Sequence, residues 1–119
     1  MITSNIFIPP TLEDSADASA KEDWKAYATA ASISLSSGFR EASKRMVKQS
    51  KALICKLPQS AYRDVAANIC DMITAVDRRR MLRANVLKQM SFDTLKSISG
   101  SESLELKTLL EQVLVHLKI

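Results

Sequence analysis

Hydrophobic and small residues between positions 24 and 57 recur at helical spacing. The intervals are 4, 3 and 4 residues, repeated three times, at Trp24, Ala28, Ala31, Leu35, Phe39, Ala42, Met46, Ser50, Leu53 and Leu57. This eleven-residue repeat averages about 3.67 residues per turn, which suits an α-helix, whereas a strand changes face at every second residue. The pattern predicts one long amphipathic helix over residues 20–57 that begins near Ser19.

Gly38 lies inside this predicted helix. A glycine in a helix interior costs about 1 kcal/mol relative to alanine. The spacing of the apolar residues nevertheless keeps its register on both sides of Gly38. We therefore expect a continuous helix here, and the alternative is a kink or break at residues 36–38.

The rest of the chain carries further helical patterns. An apolar stripe begins at Tyr62, shortly after Pro58, and predicts a second helix over residues 60–90 whose buried face changes near Arg80. Ser91 is a suitable N-cap for a short helix ending at Ile98. Ser101 is the N-cap of a predicted final helix with a wide stripe at Leu106, Leu109, Leu110, Val113, Leu114 and Leu117.

These patterns predict an all-α, single-domain bundle of four or five helices built around the long helix. The chain has only two glycines and three prolines, which disfavours the tight turns of a sheet-rich fold. We expect residues 1–19 to form an N-terminal arm or linker and residues 20–119 to form the bundle domain. The apolar residues 6–8 precede a proline pair, so they are expected either to lie extended in a groove or to fray.

Composition is typical of a small globular protein. The chain has 119 residues, of which 46% are hydrophobic and 25% are charged. Cys55 and Cys70 lack metal-ligand spacing and are expected to be small buried residues in a reducing compartment. Neither a secretory signal nor an apolar run of about 20 residues is present. We therefore expect a cytoplasmic protein without a membrane partner.

Charge is distributed unevenly along the chain. Residues 1–23 carry a net charge of −4, residues 24–90 carry +9 and residues 91–119 carry −1, giving +4 in total. Basic residues fall in two groups that are candidates for contact with a polyanion: Arg40, Lys44, Lys48 and Lys51 in one, and Arg78, Arg79, Arg80 and Arg83 in the other. Such residues bind nucleic acid, bind an acidic protein surface, or form solvated helix faces.

Residues 26–39 include no charged residue. Their helical spacing places Ala26, Ala30, Ile33 and Ser37 on a line opposite the predicted core-facing residues. Small side chains on such a line allow close approach of another helix. We expect this line to be an interface with a protein partner, either a second copy of the chain or another helical protein. The alternative is a central helix covered on all sides by its own bundle.

Catalysis has little support in the sequence. His116 is the only histidine and lies among apolar residues, and neither cysteine has an identifiable base beside it. Glycine-rich phosphate-binding loops and metal-ligand spacings are missing as well. We expect no enzyme activity, cofactor, metal or small-molecule substrate. The sequence predicts a non-enzymatic interaction module, such as an adaptor or regulator, and the alternative is a nucleic-acid-binding regulator that uses residues 40–51 and 78–83.

Overall fold

The computed structural model describes residues 9–119, with side chains from residue 19 onwards. It contains five helices: α1 (Pro9–Ser36), α2 (Arg40–Ile54), α3 (Ala61–Asp77), α4 (Met81–Leu95) and α5 (Ser101–Leu117). The prediction of an all-α bundle is confirmed, since residues 9–119 contain no strand. Helix α1 begins ahead of the boundary placed at residue 19, and the arm predicted at residues 6–8 lies outside the described residues.

The prediction of one long helix over residues 20–57 is wrong, because the chain reverses at Gly38. This residue has a φ of 88°, which an L side chain rarely adopts. The amide of Phe39 donates to the carbonyl of Ser34 at 2.8 Å, and the amide of Gly38 donates to the carbonyl of Leu35 at 3.1 Å. This pair of bonds is a Schellman motif, which satisfies the last carbonyls of α1 and ends the helix.

The reversal also changes which residues of α2 face the core. Of the predicted positions in α2, Ser50 is buried, but Ala42, Met46 and Leu53 are only half-buried. The buried line in α2 is Ser43, Val47, Ser50 and Ile54. Phe39, predicted on the core-facing line, lies in the turn and is 66% exposed. Continuous spacing in the sequence therefore did not reflect a continuous helix, because the turn resets the angular position of α2.

A second Schellman motif separates α3 from α4. Arg79 adopts a left-handed conformation with a φ of 59°. The amide of Arg80 donates to the carbonyl of Ala75 at 2.8 Å, and the amide of Arg79 donates to the carbonyl of Val76 at 3.0 Å. The predicted 60–90 helix is therefore two helices. The buried face changes near Arg80, as expected, because the chain turns there.

Ser91 does not begin a short helix, contrary to our prediction. It lies inside α4, fully buried, and its hydroxyl donates to the carbonyl of Leu87 at 2.8 Å. This local bond satisfies the hydroxyl without ending the helix. The final helix is confirmed, and Leu114 is the one half-buried residue of its predicted stripe. Its N-cap is Gly100 rather than the predicted Ser101, which is the first residue of α5.

Buried hydrogen bonds join the first three helices around Trp24. The Ser50 hydroxyl donates to the carbonyl of Trp24 at 2.9 Å and accepts from the Cys70 thiol at 3.3 Å. The Ser43 hydroxyl donates in the same way to the carbonyl of Ala31 at 2.8 Å. Along α1 the bonded residues run from Trp24 to Ala31, while along α2 they run from Ser50 back to Ser43, so the two helices form an antiparallel hairpin. Helices α3 and α5 complete the contacts of α1.

Candidate interaction groove and basic surfaces

An open groove runs between α1 and α5. It encloses about 790 Å³, and its lining includes Ala26, Ala30 and Ile33 from α1 with Leu104, Thr108 and Leu109 from α5. Its walls are therefore mainly small or aliphatic side chains. Three of the four predicted interface residues line this groove. Ser37 does not, because it follows the end of α1 and lies exposed in the turn.

The bundle leaves this face of α1 uncovered. Ala26 is exposed, Ala30 is half-buried and Ile33 is 43% exposed. On the opposite side of the helix, Ala28 and Ala31 are fully buried, as their spacing predicts. Helix α1 thus has one face in the core and an uncharged face that its own chain does not cover.

Charged groups are confined to one end of the groove. Lys25 bonds to Glu22 at 2.8 Å and to Glu105 at 3.3 Å, so it links α1 with α5. Burial lowers the pKa of Lys25, but its bonds to the two carboxylates outweigh that effect and hold the pKa above its usual value. Lys25 therefore stays charged while the remaining length of the groove is neutral.

The sequence reasoning missed the α5 wall of the groove. Leu104 lines the groove and is 68% exposed, whereas Val115 lies outside the lining and is 73% exposed. Both lie outside the apolar stripe of α5, on a line with Thr108 and Gln112. The available signal was the presence of large aliphatic residues outside a stripe that already supplies the core-facing side chains of α5. They indicate a second surface on the same helix.

Three of the four residues in the first basic group line a different groove, between α2 and α3, and Arg40 does not. This groove encloses about 380 Å³ and includes Lys44, Lys48 and Lys51 of α2 with Arg78 at the end of α3. Val47 is also part of its lining. The structure thus brings together members of both predicted basic groups.

Several of these cations already have carboxylate partners. Arg40 Nε lies 2.6 Å from Asp77 Oδ1, and Lys51 Nζ lies 2.6 Å from Asp71 Oδ1. The hydrogen bond and charge of Asp77 raise the pKa of Arg40. Lys44 pairs with Glu41 at 3.3 Å on the exposed surface of α2. Only part of the formal positive charge therefore remains for an external anion.

The other three arginines lie elsewhere, around the turn from α3 to α4. Arg79, Arg80 and Arg83 line a shallow depression with exposed aliphatic residues. Leu82, the most exposed of these, is 82% accessible. Seven of the eight predicted basic residues therefore line two separate depressions rather than one continuous stripe.

The two cysteines differ in environment. Burial raises the pKa of the Cys70 thiol from 9.0 to about 11, which disfavours the reactive thiolate. Cys55 is exposed, so its predicted burial is wrong. It lies just after the last turn of α2, where the chain leaves the core. Both thiols are free.

Within residues 9–119, no three His, Cys, Asp or Glu side chains cluster as a metal site requires. None of the five helices combines the length and apolarity needed to cross a bilayer. No protein-family model, curated protein or solved structure matches this chain.

Proposed function

We propose that the protein is a non-enzymatic helical interaction module that self-associates through the groove between α1 and α5. The open, mainly apolar groove lined by Ala26, Ala30 and Ile33 carries this proposal. When a partner covers an exposed apolar face, the free energy of the assembly falls, because apolar surface is removed from water. The two free cysteines support a reducing, cytoplasmic location for this module.

The occupant we propose is α1 of a second copy, related by a two-fold axis. An antiparallel arrangement centred near Ala30 places Ala26 of one copy opposite Ile33 of the other. The small residue then accommodates the large one, and the contact repeats identically on both sides of the axis. The uncharged line meets itself without repulsion between like charges. Leu104 at the edge of the groove would be covered by the same contact.

Charge variants on two different surfaces test this proposal. Ala26→Glu combined with Ile33→Glu places carboxylates in the groove, and Ala52→Glu combined with Leu82→Glu adds the same charge at exposed positions elsewhere. We expect light scattering to give a dimer mass for the wild type and the control, and a monomer mass for the groove variant. Circular dichroism should show equal helix content in all three proteins, because every substituted side chain is exposed in the monomer.

Other outcomes contradict the proposal. A wild-type protein that stays monomeric at millimolar concentration does not self-associate. A groove variant that keeps the dimer mass places the interface elsewhere. A groove variant that loses its helical spectrum while the control keeps it indicates that this face belongs to the core of the bundle. High salt should leave the dimer intact, because the contact is mainly apolar.

Nucleic-acid binding is our second proposal. Its support is the gathering of Lys44, Lys48, Lys51 and Arg78 around one groove. Affinity for duplex DNA or RNA should then fall steeply as salt rises, because contacts to phosphates release counterions. If neither duplex DNA nor RNA binds at low salt, this second proposal is contradicted. The proposal of self-association does not depend on that result.

A further inference from the structure

We propose that the groove between α2 and α3 is a binding site for a compact organic anion, with one phosphate or carboxylate group on an apolar body. This site is separate from the interaction groove of α1 and α5. The proposal rests on the unpaired cations at the groove, on its apolar lining and on its volume.

Two cations of the groove are without a carboxylate partner among the described residues. Lys48 and Arg78 line the groove from α2 and α3, and neither forms an ion pair there. Asp77 also lines the groove, but Arg40 neutralises it at 2.6 Å. An arriving anion therefore meets net positive charge, and the guanidinium of Arg78 offers two parallel donors to a phosphate or carboxylate.

The lining of the groove favours an apolar group beside that charge. Val47 and Ile73 form the base of the groove, where only a small part of each side chain is exposed. The volume of about 380 Å³ lies in the range of small-molecule sites, which begins near 300 Å³. An inorganic phosphate ion would leave much of this space empty. A ligand with an apolar body fills the groove and keeps its anionic group at Lys48 and Arg78.

The unpaired charge of this groove covers a small area. Arg79, Arg80 and Arg83 line a different depression and add no charge to this one. The Lys51–Asp71 and Arg40–Asp77 pairs further limit the unpaired charge of the groove to a small area. One anionic group matches that area, whereas the nucleic acid of the second proposal would also need to contact Arg79, Arg80 and Arg83.

Amide chemical shifts in two-dimensional nuclear magnetic resonance (NMR) spectra provide the test, at low ionic strength. The probes are phenyl phosphate and benzoate, with phenol as the neutral analogue and inorganic phosphate as the anion without an apolar body. We expect saturable shifts confined to the residues of the groove with at least one organic anion. Phenol and inorganic phosphate should each bind at least about tenfold more weakly. Comparison of the two organic anions separates phosphate from carboxylate recognition.

Matched variants test whether Lys48 and Arg78 bind the anionic group. Lys48→Gln with Arg78→Gln should weaken binding of the organic anion by at least about tenfold, because both unpaired cations are lost. Lys107→Gln with Lys118→Gln removes the same charge from exposed positions of the C-terminal region and should leave binding unchanged. Both variants should keep the wild-type helix content, since the substituted side chains are exposed.

Three results would overturn the proposal. The first is an absence of saturable shifts with either organic anion. The second is equal binding of phenol and the organic anions, which indicates an apolar cavity without anion recognition. The third is equal weakening of anion binding by the Lys48→Gln/Arg78→Gln variant and by the Lys107→Gln/Lys118→Gln control, which indicates a general effect of net charge. The same measurements can be made on the Ala26→Glu/Ile33→Glu variant, which is expected to be monomeric. A failure of anion binding is then distinguishable from a failure of self-association.

Discussion

The indole nitrogen of Trp24 donates a hydrogen bond of 3.2 Å to the hydroxyl oxygen of Tyr62. The two rings meet edge to face, with centroids 6.2 Å apart and an interplanar angle of 89°. Trp24 is fully buried, so its N–H group has no access to water. This contact ties α1 to the first turn of α3, and Lys21 covers the Tyr62 ring with its ammonium 4.8 Å from the centroid.

Tyr62→Phe should destabilise the protein by about 1–3 kcal/mol, because it leaves a buried donor without a partner. The ring remains, so little packing is lost. Urea denaturation followed by circular dichroism measures the change. Tyr27→Phe removes an equivalent hydroxyl from an exposed tyrosine of α1 and should change stability by less than about 0.5 kcal/mol. Equal effects of the two substitutions would contradict the role assigned to the Trp24–Tyr62 bond.

Gly38→Ala distinguishes a turn from a continuous helix by the sign of its effect. In the turn, alanine must adopt a positive φ, and the substitution should destabilise the protein by about 1 kcal/mol. In a continuous helix the same substitution would stabilise by about 1 kcal/mol. Thermal or urea unfolding measures the sign. Ser37→Ala is the neighbouring control and should have little effect, since Ser37 is exposed.

Arg79→Gly should stabilise the protein by about 1 kcal/mol, because Arg79 has the positive φ that glycine adopts without strain. Urea denaturation again gives the change in the free energy of unfolding. Arg78→Gly is the informative control, since Arg78 has a φ of −89° and glycine there gains nothing. A loss of stability with Arg79→Gly would contradict the left-handed turn between α3 and α4.

Thiol labelling should separate the two cysteines. In the native protein at pH 8, a maleimide should modify Cys55 quickly and Cys70 at least about a hundredfold more slowly, because Cys70 is buried and its pKa is about 11. Mass spectrometry after timed quenching counts the labels. Cys55→Ser should abolish the fast reaction. Rapid double labelling of the native wild type would contradict the burial of Cys70.

The sequence was sufficient to predict helices, and much of the core. Periodicity correctly placed Trp24, Ala28 and Ala31 on the buried face of α1, because the spacing of residues within one helix fixes their relative directions. It also identified Leu106 and Leu110 in α5. These are local relationships, and they do not depend on how the helices are arranged in space.

The turns were the part that sequence spacing did not determine. Gly38 was compatible both with a helix interior and with a helix end, and the coincidence of spacing on its two sides favoured the wrong choice. Arg79 gave no signal at all, since arginine is an ordinary helix residue. Sequence spacing did not determine the two grooves either. Their α1 and α2 residues were visible as lines on single helices, but Leu104 and Ile73 joined them only through packing between helices.

Cross-linking between two single-cysteine variants tests the central claim, the contact of α1 with α1 of a second copy. In a Cys55→Ser background, Ala26→Cys and Ile33→Cys proteins are prepared separately, mixed and treated with a short bismaleimide. The antiparallel arrangement predicts that the mixture gives more covalent dimer than either variant alone, and that an Ala52→Cys control gives almost none. Equal yields for the mixture and the control, or monomer throughout, would contradict self-association through this groove.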